Sequence, residues 1–256
     1  NLMALQSSGA ISLANIQTEF GGTNPISLSE YYSKGNAPAS GEIQLAADFY
    51  GTSNTISLNL ATHGTGTNSA SISIGTARST RMVHLSGYTS NGVRISSGTI
   101  GGVTATVLNL PNLSGSGFNA NTWQAYAKVP TGTTATVSMN TACTYYITTF
   151  DTVNSGASAT QVQSGTGTKT ATLTASNPGV CFWGGNSPHP ALSGSGSIST
   201  NSPGGATVLY TIATSNEYTV AAYNETSTTV SQTFSVVIPG GKIGSNGAVW
   251  SIFSAN

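Results

Sequence analysis

From Asn54 onward, apolar and polar residues alternate with a period of two, in short runs separated by Gly, Ser, Asn and Pro. Residues i and i+2 lie on the same face of a strand, so this pattern predicts many short strands. The runs are Thr55–Leu60, Ser69–Ile74, Val103–Leu108, Trp123–Val129, Thr133–Met139, Tyr145–Phe150, Thr170–Leu173, Val180–Trp183, Thr207–Ile212, Tyr218–Tyr223, Thr233–Ile238 and Ala248–Phe253. We therefore predict a mainly β fold, with an antiparallel β-sandwich or jelly-roll-like domain over residues 53–256.

Two stretches between these runs are rich in Ser, Gly, Thr and Asn and predict exposed loops. They span residues 154–168 and 187–205, and the second also contains three prolines. Long loops in a compact sandwich often bind other molecules. We expect exposed binding loops here, with Asn154, Ser187 and His189 as candidate contact residues.

The first 52 residues have a different pattern, which predicts a separate module of short helices. Residues 12–22, 27–35 and 44–51 each end at glycine, as a helix C-cap does. Ser12 and Ser27 stand where N-caps are expected, and Ser27 followed by Glu30 predicts a capping box. Helices this short are not stable alone, so they must pack on each other or on a partner.

Charged residues make up only 5% of the 256 residues, against about 25% in ordinary globular proteins. The seven basic residues are scattered and balanced by seven acidic ones, which argues against nucleic-acid binding. No run approaches the ~20 apolar residues of a membrane helix, and the N-terminus lacks signal-peptide features. We expect no membrane insertion. A neutral net charge disfavours a free soluble monomer, so we expect the protein to be part of an assembly.

The acidic residues give little support for catalysis. Four of the seven fall within the first 48 residues, which leaves Asp151, Glu217 and Glu225 in the predicted β domain. A glycosidase needs a pair of carboxylates, so these three would have to converge in one groove. We predict that the protein is not an enzyme and has no catalytic residues.

The histidines and cysteines do not form a recognisable metal or redox motif. His63, His84 and His189 are far apart and lack the spacing of metal ligands, so we predict no metal and no cofactor. In the strand-like run Arg81–Leu85, the side chain of His84 lies on the strand face opposite to that of Val83, and we expect His84 to face solvent. Cys143 and Cys181 are interpreted as small buried hydrophobic residues, with one disulfide between strands as the alternative.

Three segments of the N-terminal module resemble a known family. They are SGAISLANIQTEFGG at residues 8–22, NPISLSEYY at 24–32 and IQLAADFYG at 43–51. Together they resemble the short N-terminal module of tailed-phage virion proteins, most closely tail-fibre and baseplate-associated proteins. The resemblance covers about one fifth of the chain. No collagen-like or heptad shaft follows it, which favours a compact component over a long fibre.

The resemblance implies that the helices dock on another virion protein while the β domain faces outward for host attachment. The expected docking residues are the apolar positions of the module. They are Ile11, Leu13, Ile16, Phe20, Ile26, Leu28, Tyr31, Leu45, Phe49 and Tyr50.

The implied location is the virion, assembled in the host cytoplasm, and the other expected partner is a host surface glycan or protein. A homo-oligomer is expected, with a trimer favoured because phage adhesins are commonly trimers. The alternatives are a capsid decoration or head-fibre protein, and a glycan depolymerase in the same place.

Overall fold

The computed structural model describes residues 5–32, 34–38, 40–51, 60–89, 93–110, 121–164, 167–175, 179–187, 207–213, 218–226, 230–238 and 247–255. The chain divides into two compact units, Asn1–Ile56 and Ser57–Asn256, which we call the N-terminal unit and the β unit. The change of sequence pattern predicted this division between residues 52 and 53. The predicted fold class is confirmed, because the protein is mainly β and its strand pairs are antiparallel.

The N-terminal unit contains three short helical segments at the predicted places. These are α1 (Leu13–Phe20), a 3-10 helix (Leu28–Tyr31) and α2 (Leu45–Phe49). Of the three, α1 reaches two turns, and the other two are shorter than predicted.

Serine hydroxyls begin the first two helical segments, as the sequence predicted. Ser12 Oγ accepts a bond from Asn15 N at 3.2 Å, and Asn15 Oδ1 accepts one from Ser12 N at 3.0 Å. Ser27 caps the 3-10 helix. The predicted capping box at Ser27 is wrong, because the Glu30 carboxylate accepts bonds from the N–H and hydroxyl of Thr23 instead. The reciprocal capping box lies at Ser12.

A small aromatic core holds the N-terminal unit together. Ile16, Tyr31 and Phe49 are buried. The Phe49 ring meets those of Phe20 and Tyr31 edge to face, with centroids 5.8 and 6.2 Å apart. The helices therefore pack on each other.

The described part of the β unit contains sixteen strands. They are β1 (Ala61–Thr67), β2 (Ser71–Ser73), β3 (Arg81–Thr89), β4 (Gly98–Ile100), β5 (Val103–Thr104), β6 (Thr106–Asn109), β7 (Asn121–Lys128), β8 (Thr134–Met139), β9 (Thr144–Asp151), β10 (Ala159–Ser164), β11 (Gly167–Ala175), β12 (Gly179–Ser187), β13 (Thr207–Ala213), β14 (Tyr218–Thr226), β15 (Val230–Ile238) and β16 (Gly247–Ser254).

These strands form four antiparallel groups. The central sheet has the order β1-β9-β3-β7-β6, and the second sheet has the order β10-β16-β12-β14-β13. The outer sheet has the order β2-β8-β4-β5, and β11 pairs with β15 as a two-stranded ribbon. The ribbon lies next to β16 and β12.

The central sheet is covered on both faces. One face forms an apolar core with the outer sheet, where Val83 and Leu85 are buried in the same cluster as Val137. On the other face, the His84 ring stacks on Phe182 of the second sheet with centroids 3.8 Å apart. β3 and β7 are therefore buried along almost their whole length.

The list of predicted runs omitted β3, although alternation was recognised around His84. β3 is buried on both faces, as is β7, which was predicted as the run Trp123–Val129, so burial alone does not explain the omission. β10 was also missed, since it lies in the stretch 154–168 that was predicted to be a loop. That prediction is wrong over Ala159–Ser164, which form β10 at one edge of the second sheet, and at residues 167–168, where β11 begins. The predicted loop at 187–205 begins where β12 ends, and residues 188–205 lie outside the described part of the chain.

A buried arginine fixes the loops beside β3. Arg81 is fully buried, and its guanidinium donates only to backbone carbonyls. The acceptors are Ile74, Gly75, Thr76, Val129, Thr131 and Gly132. Six carbonyls take up all of its N–H groups, so Arg81 joins the segment before β3 to the segment after β7.

Candidate functional site: a hydroxyl-lined cleft

Most of the predicted docking residues belong to the core of the N-terminal unit. Three of them are buried, and Ile11, Leu13, Phe20, Ile26 and Leu45 pack partly buried against them. Tyr50 is half-buried and its hydroxyl donates to Gly9 O. Leu28 differs from the rest because 39% of its surface is exposed. The apolar pattern is thus explained by internal packing, and Leu28 is the apolar member of the set that is open to a partner.

Asp151, one of the three candidate carboxylates, is held by hydrogen bonds to neighbouring side chains. Asp151 Oδ1 accepts bonds from Arg78 Nε at 2.8 Å and from Thr80 Oγ1 at 3.0 Å. Asp151 is buried at the end of β9 in the central sheet, whereas Glu225 lies in β14 of the second sheet. Glu217 lies outside the described residues. The structure therefore uses Asp151 to hold the segment before β3 on the central sheet.

The expectation that His84 faces solvent is wrong. The side chain does lie opposite Val83, as alternation predicted, but the second sheet covers that face and buries the ring completely. His84 Nε2 lies 3.4 Å from both Gln124 Oε1 and Ser251 Oγ. Burial lowers the pKa of His84 to about 3, and the hydrogen bond to Gln124 opposes this only in part.

His63 does not form part of a metal site among the described residues. His63 Nε2 is 2.9 Å from Thr149 Oγ1, and burial, followed by the charges of Arg78 and Arg81, lowers the pKa of His63. His189 lies outside the described residues. Across the described part of the chain, no three His, Cys, Asp or Glu side chains are grouped closely enough to hold a metal ion.

The two cysteines are small buried residues and are not joined by a disulfide, as the favoured interpretation of the sequence predicted. Cys143 and Cys181 are free and buried. Burial raises the pKa of Cys143 to about 11 and raises that of Cys181 well above its usual value. Both are therefore neutral thiols near physiological pH.

The loop candidate Asn154 is anchored. Its side-chain amide donates to Ser254 O at 3.1 Å, and its N–H donates to Thr152 Oγ1 at 3.2 Å. Ser187 is the last residue of β12. Among the described helices, none is long and apolar enough to cross a membrane.

A cleft of about 330 Å³ lies at one end of the central sheet, where β1 and β3 end and β9 begins. This volume is at the lower end of the ~300–1,000 Å³ typical of small-molecule sites. The lining residues are Thr67, Asn68, Tyr88, Thr89, Ala142, Cys143 and Thr144. Five of these seven residues carry a hydroxyl or amide group, and the other two have small apolar side chains.

Three of these residues form a row across adjacent strands. Thr144 pairs with Thr67 of β1 on one side and with Tyr88 of β3 on the other. Directly opposed residues point to the same face, about 4.8 Å apart from strand to strand. The β ladder therefore fixes the spacing of two hydroxyls and a phenol ring along the cleft.

The wall beside this row is held by backbone contacts. The Asn68 side chain donates to Met139 O at 3.1 Å and accepts from Met139 N at 2.7 Å. The Tyr145 hydroxyl donates to Thr67 O at 2.9 Å. Gly66 makes room for Tyr145, because a Cβ at residue 66 would lie 2.7 Å from that ring. The wall is therefore rigid.

No Asp, Glu, Lys, Arg or His stands among the described residues that line the cleft. The described lining includes the Cys143 thiol, and burial raises the pKa of Cys143 to about 11. Two lining hydroxyls, those of Thr67 and Thr144, make no hydrogen bond to any residue that the structure describes. The Thr89 hydroxyl donates to Val93 O at 3.1 Å. The cleft can exchange hydrogen bonds with a neutral polar molecule.

Sequence reasoning missed this cleft. Its residues come from three separate segments, 67–68, 88–89 and 142–144, and belong to types that occur throughout the chain. The antiparallel pairing of β1, β9 and β3 brings them together.

Comparisons with protein-family models, with curated proteins and with solved structures gave no match for this chain.

Proposed function

We propose that this protein is an exterior structural component of a tailed-phage particle, in a tail fibre, tail tip or baseplate. In this proposal the N-terminal unit anchors the chain to another virion protein. The β unit faces outward and takes part in host attachment, as a homo-oligomer.

The observation that carries the proposal is the agreement between the resemblance and the division of the chain. The phage-like segments span residues 8–51, and the compact N-terminal unit spans Asn1–Ile56. The unit has its own core of Ile16, Tyr31 and Phe49. A segment with its own core can keep its shape while the domain that follows it changes, which suits a shared docking module.

The β unit supports an exposed, non-catalytic role. It has few charged residues, six basic and three acidic, and Asp151 is committed to Arg78 and Thr80. A capsid decoration or head-fibre protein would use the same two-unit plan. Immunogold labelling of intact particles distinguishes these locations, since tail labelling supports the proposal and head labelling supports the alternative.

Incorporation into particles tests the anchoring role. Deleting residues 1–51 should abolish incorporation, because the docking unit is removed. A milder change, Leu28→Ser, should reduce incorporation because Leu28 is an exposed apolar residue of the N-terminal unit. Immunoblotting of purified particles measures both.

Val103→Ser is the matched control, because Val103 is 40% exposed but belongs to the β unit. Its incorporation should equal that of the unchanged protein. Normal incorporation of the truncated chain would show that the N-terminal unit is not the anchor.

A further inference from the structure

We propose that the cleft between the ends of β1, β9 and β3 binds a single uncharged sugar residue. The inference rests on the proposed attachment function, since a sugar-binding cleft gives an outward-facing β unit its ligand. The observations behind it are the lining residues of the cleft, so it can fail while the virion role stands.

The first step is the match between hydrogen-bonding groups. A hydroxyl donates one hydrogen bond and accepts others, so it can pair with a sugar hydroxyl in either direction. The hydroxyls of Thr67 and Thr144 have no partner among the described residues, and they line the same cleft. A ligand with several hydroxyls can satisfy both at once.

The second step is preorganisation. Thr67, Thr144 and Tyr88 stand in one register row of the central sheet. The side-chain amide of Asn68 is already hydrogen-bonded to the backbone of Met139 through both its nitrogen and its oxygen, so we do not assign it a bond to the ligand. Asn68 instead holds the wall in place. Rigid side chains lose little entropy on binding, so weak hydrogen bonds contribute more to affinity.

The third step is the aromatic side chain. Tyr88 is half-buried in the lining. A tyrosine offers an apolar ring together with a polar hydroxyl, which suits the C–H faces and hydroxyls of a sugar ring. Ala142 and the neutral Cys143 thiol add apolar surface beside it.

The chemistry of the lining disfavours charged ligands. Divalent cations such as Ca²⁺ prefer carboxylate and carbonyl oxygens, and phosphate groups prefer Arg, Lys or clustered N–H donors. The lining residues that the structure describes include no Asp, Glu, Lys, Arg or His. A buried charge without a partner would be costly, so an uncharged ligand fits best.

The test uses the purified full-length protein and saturation-transfer NMR. The probes are methyl glycosides of neutral hexoses and of N-acetylhexosamines, with glucuronate and glucosamine as charged comparators. At least one neutral glycoside should give a signal and titrate with a millimolar Kd. Neither charged comparator should bind more tightly.

The variant Thr67→Val/Thr144→Val removes both hydroxyls with little change of shape. It should weaken binding about tenfold or more, because two hydrogen bonds are lost. Thr62→Val/Thr134→Val is the matched control, since these are exposed strand threonines outside the cleft. The control should bind as the unchanged protein does.

The proposal is overturned if no neutral glycoside binds, if a charged comparator binds better, or if the Thr67→Val/Thr144→Val variant binds normally. These measurements need no particle. If the protein enters particles but binds no sugar, the sugar-binding proposal fails and the virion proposal stands. If it binds sugar but is absent from particles, the virion proposal fails and the sugar-binding proposal stands.

Discussion

Acid should destabilise the β unit through His84. The ring is completely buried between the central and second sheets, stacked on Phe182 and edge-on to Phe253 at 5.8 Å. Its ring nitrogen Nε2 lies beside Gln124 and Ser251, which are neutral. Burial therefore disfavours the imidazolium and lowers the pKa of His84 from 6.5 to about 3.

The direction of the effect follows from proton binding by the two states. Below about pH 6.5 the unfolded chain takes up a proton at residue 84, while the folded protein stays neutral there until about pH 3. The stabilisation by neutral His84 is therefore complete above pH 6.5 and is lost as the pH falls. One pKa unit corresponds to about 1.4 kcal/mol, so the loss is about 2 kcal/mol at pH 5 and about 4 kcal/mol at pH 3, where folded His84 is itself half protonated.

Urea unfolding at a series of pH values, followed by tryptophan fluorescence, measures this dependence. All three tryptophans lie in the β unit, so the signal reports on that unit. The variant His84→Gln should have a flatter dependence of unfolding free energy on pH below about 6.5, even if it is less stable overall. His63→Gln should keep the slope due to His84. An unchanged slope in His84→Gln would refute the reasoning.

Two further predictions concern packing and thiols. Gly87→Ala should destabilise the β unit by about 1–3 kcal/mol, because the added Cβ would lie 2.2 Å from the Trp123 ring. Gly156→Ala is the control, because its Cβ would lie 3.4 Å from the nearest atom, an ordinary contact distance. Equal stability of the two variants in urea would show that Gly87 does not pack tightly against Trp123. Cys143 and Cys181 should resist an aromatic disulfide reagent at about pH 8 in the folded protein and both react after unfolding, because burial raises the pKa of each thiol. If neither thiol reacts after unfolding without reductant, the two cysteines are joined by a disulfide.

Local patterns predicted the local structure well. Ser12 marked the start of α1, and β8 shows the alternating burial that its sequence predicted. These elements were predictable because a cap needs only nearby atoms, and alternation appears where one face of a strand meets solvent.

Features that depend on layering were not predictable. The position of His84 was assigned correctly to one face of β3, but nothing in its neighbours shows that the second sheet lies over that face. β10 was missed because an edge strand with polar residues resembles a loop in sequence. The cleft was missed because its row of Thr67, Thr144 and Tyr88 exists only through pairing over long distances along the chain.

The position of β16 in the second sheet affects how the protein is made. β10 pairs with β16 at the edge of that sheet, and β16 is synthesised roughly 80 residues after β10. At ~5–20 residues per second, β10 waits about 4–16 s for its partner during translation. During that interval its open edge can pair with β16 of a neighbouring chain in the same register, which would exchange strands between copies. The edge of β10 is therefore open to strand exchange until β16 of its own chain has been made.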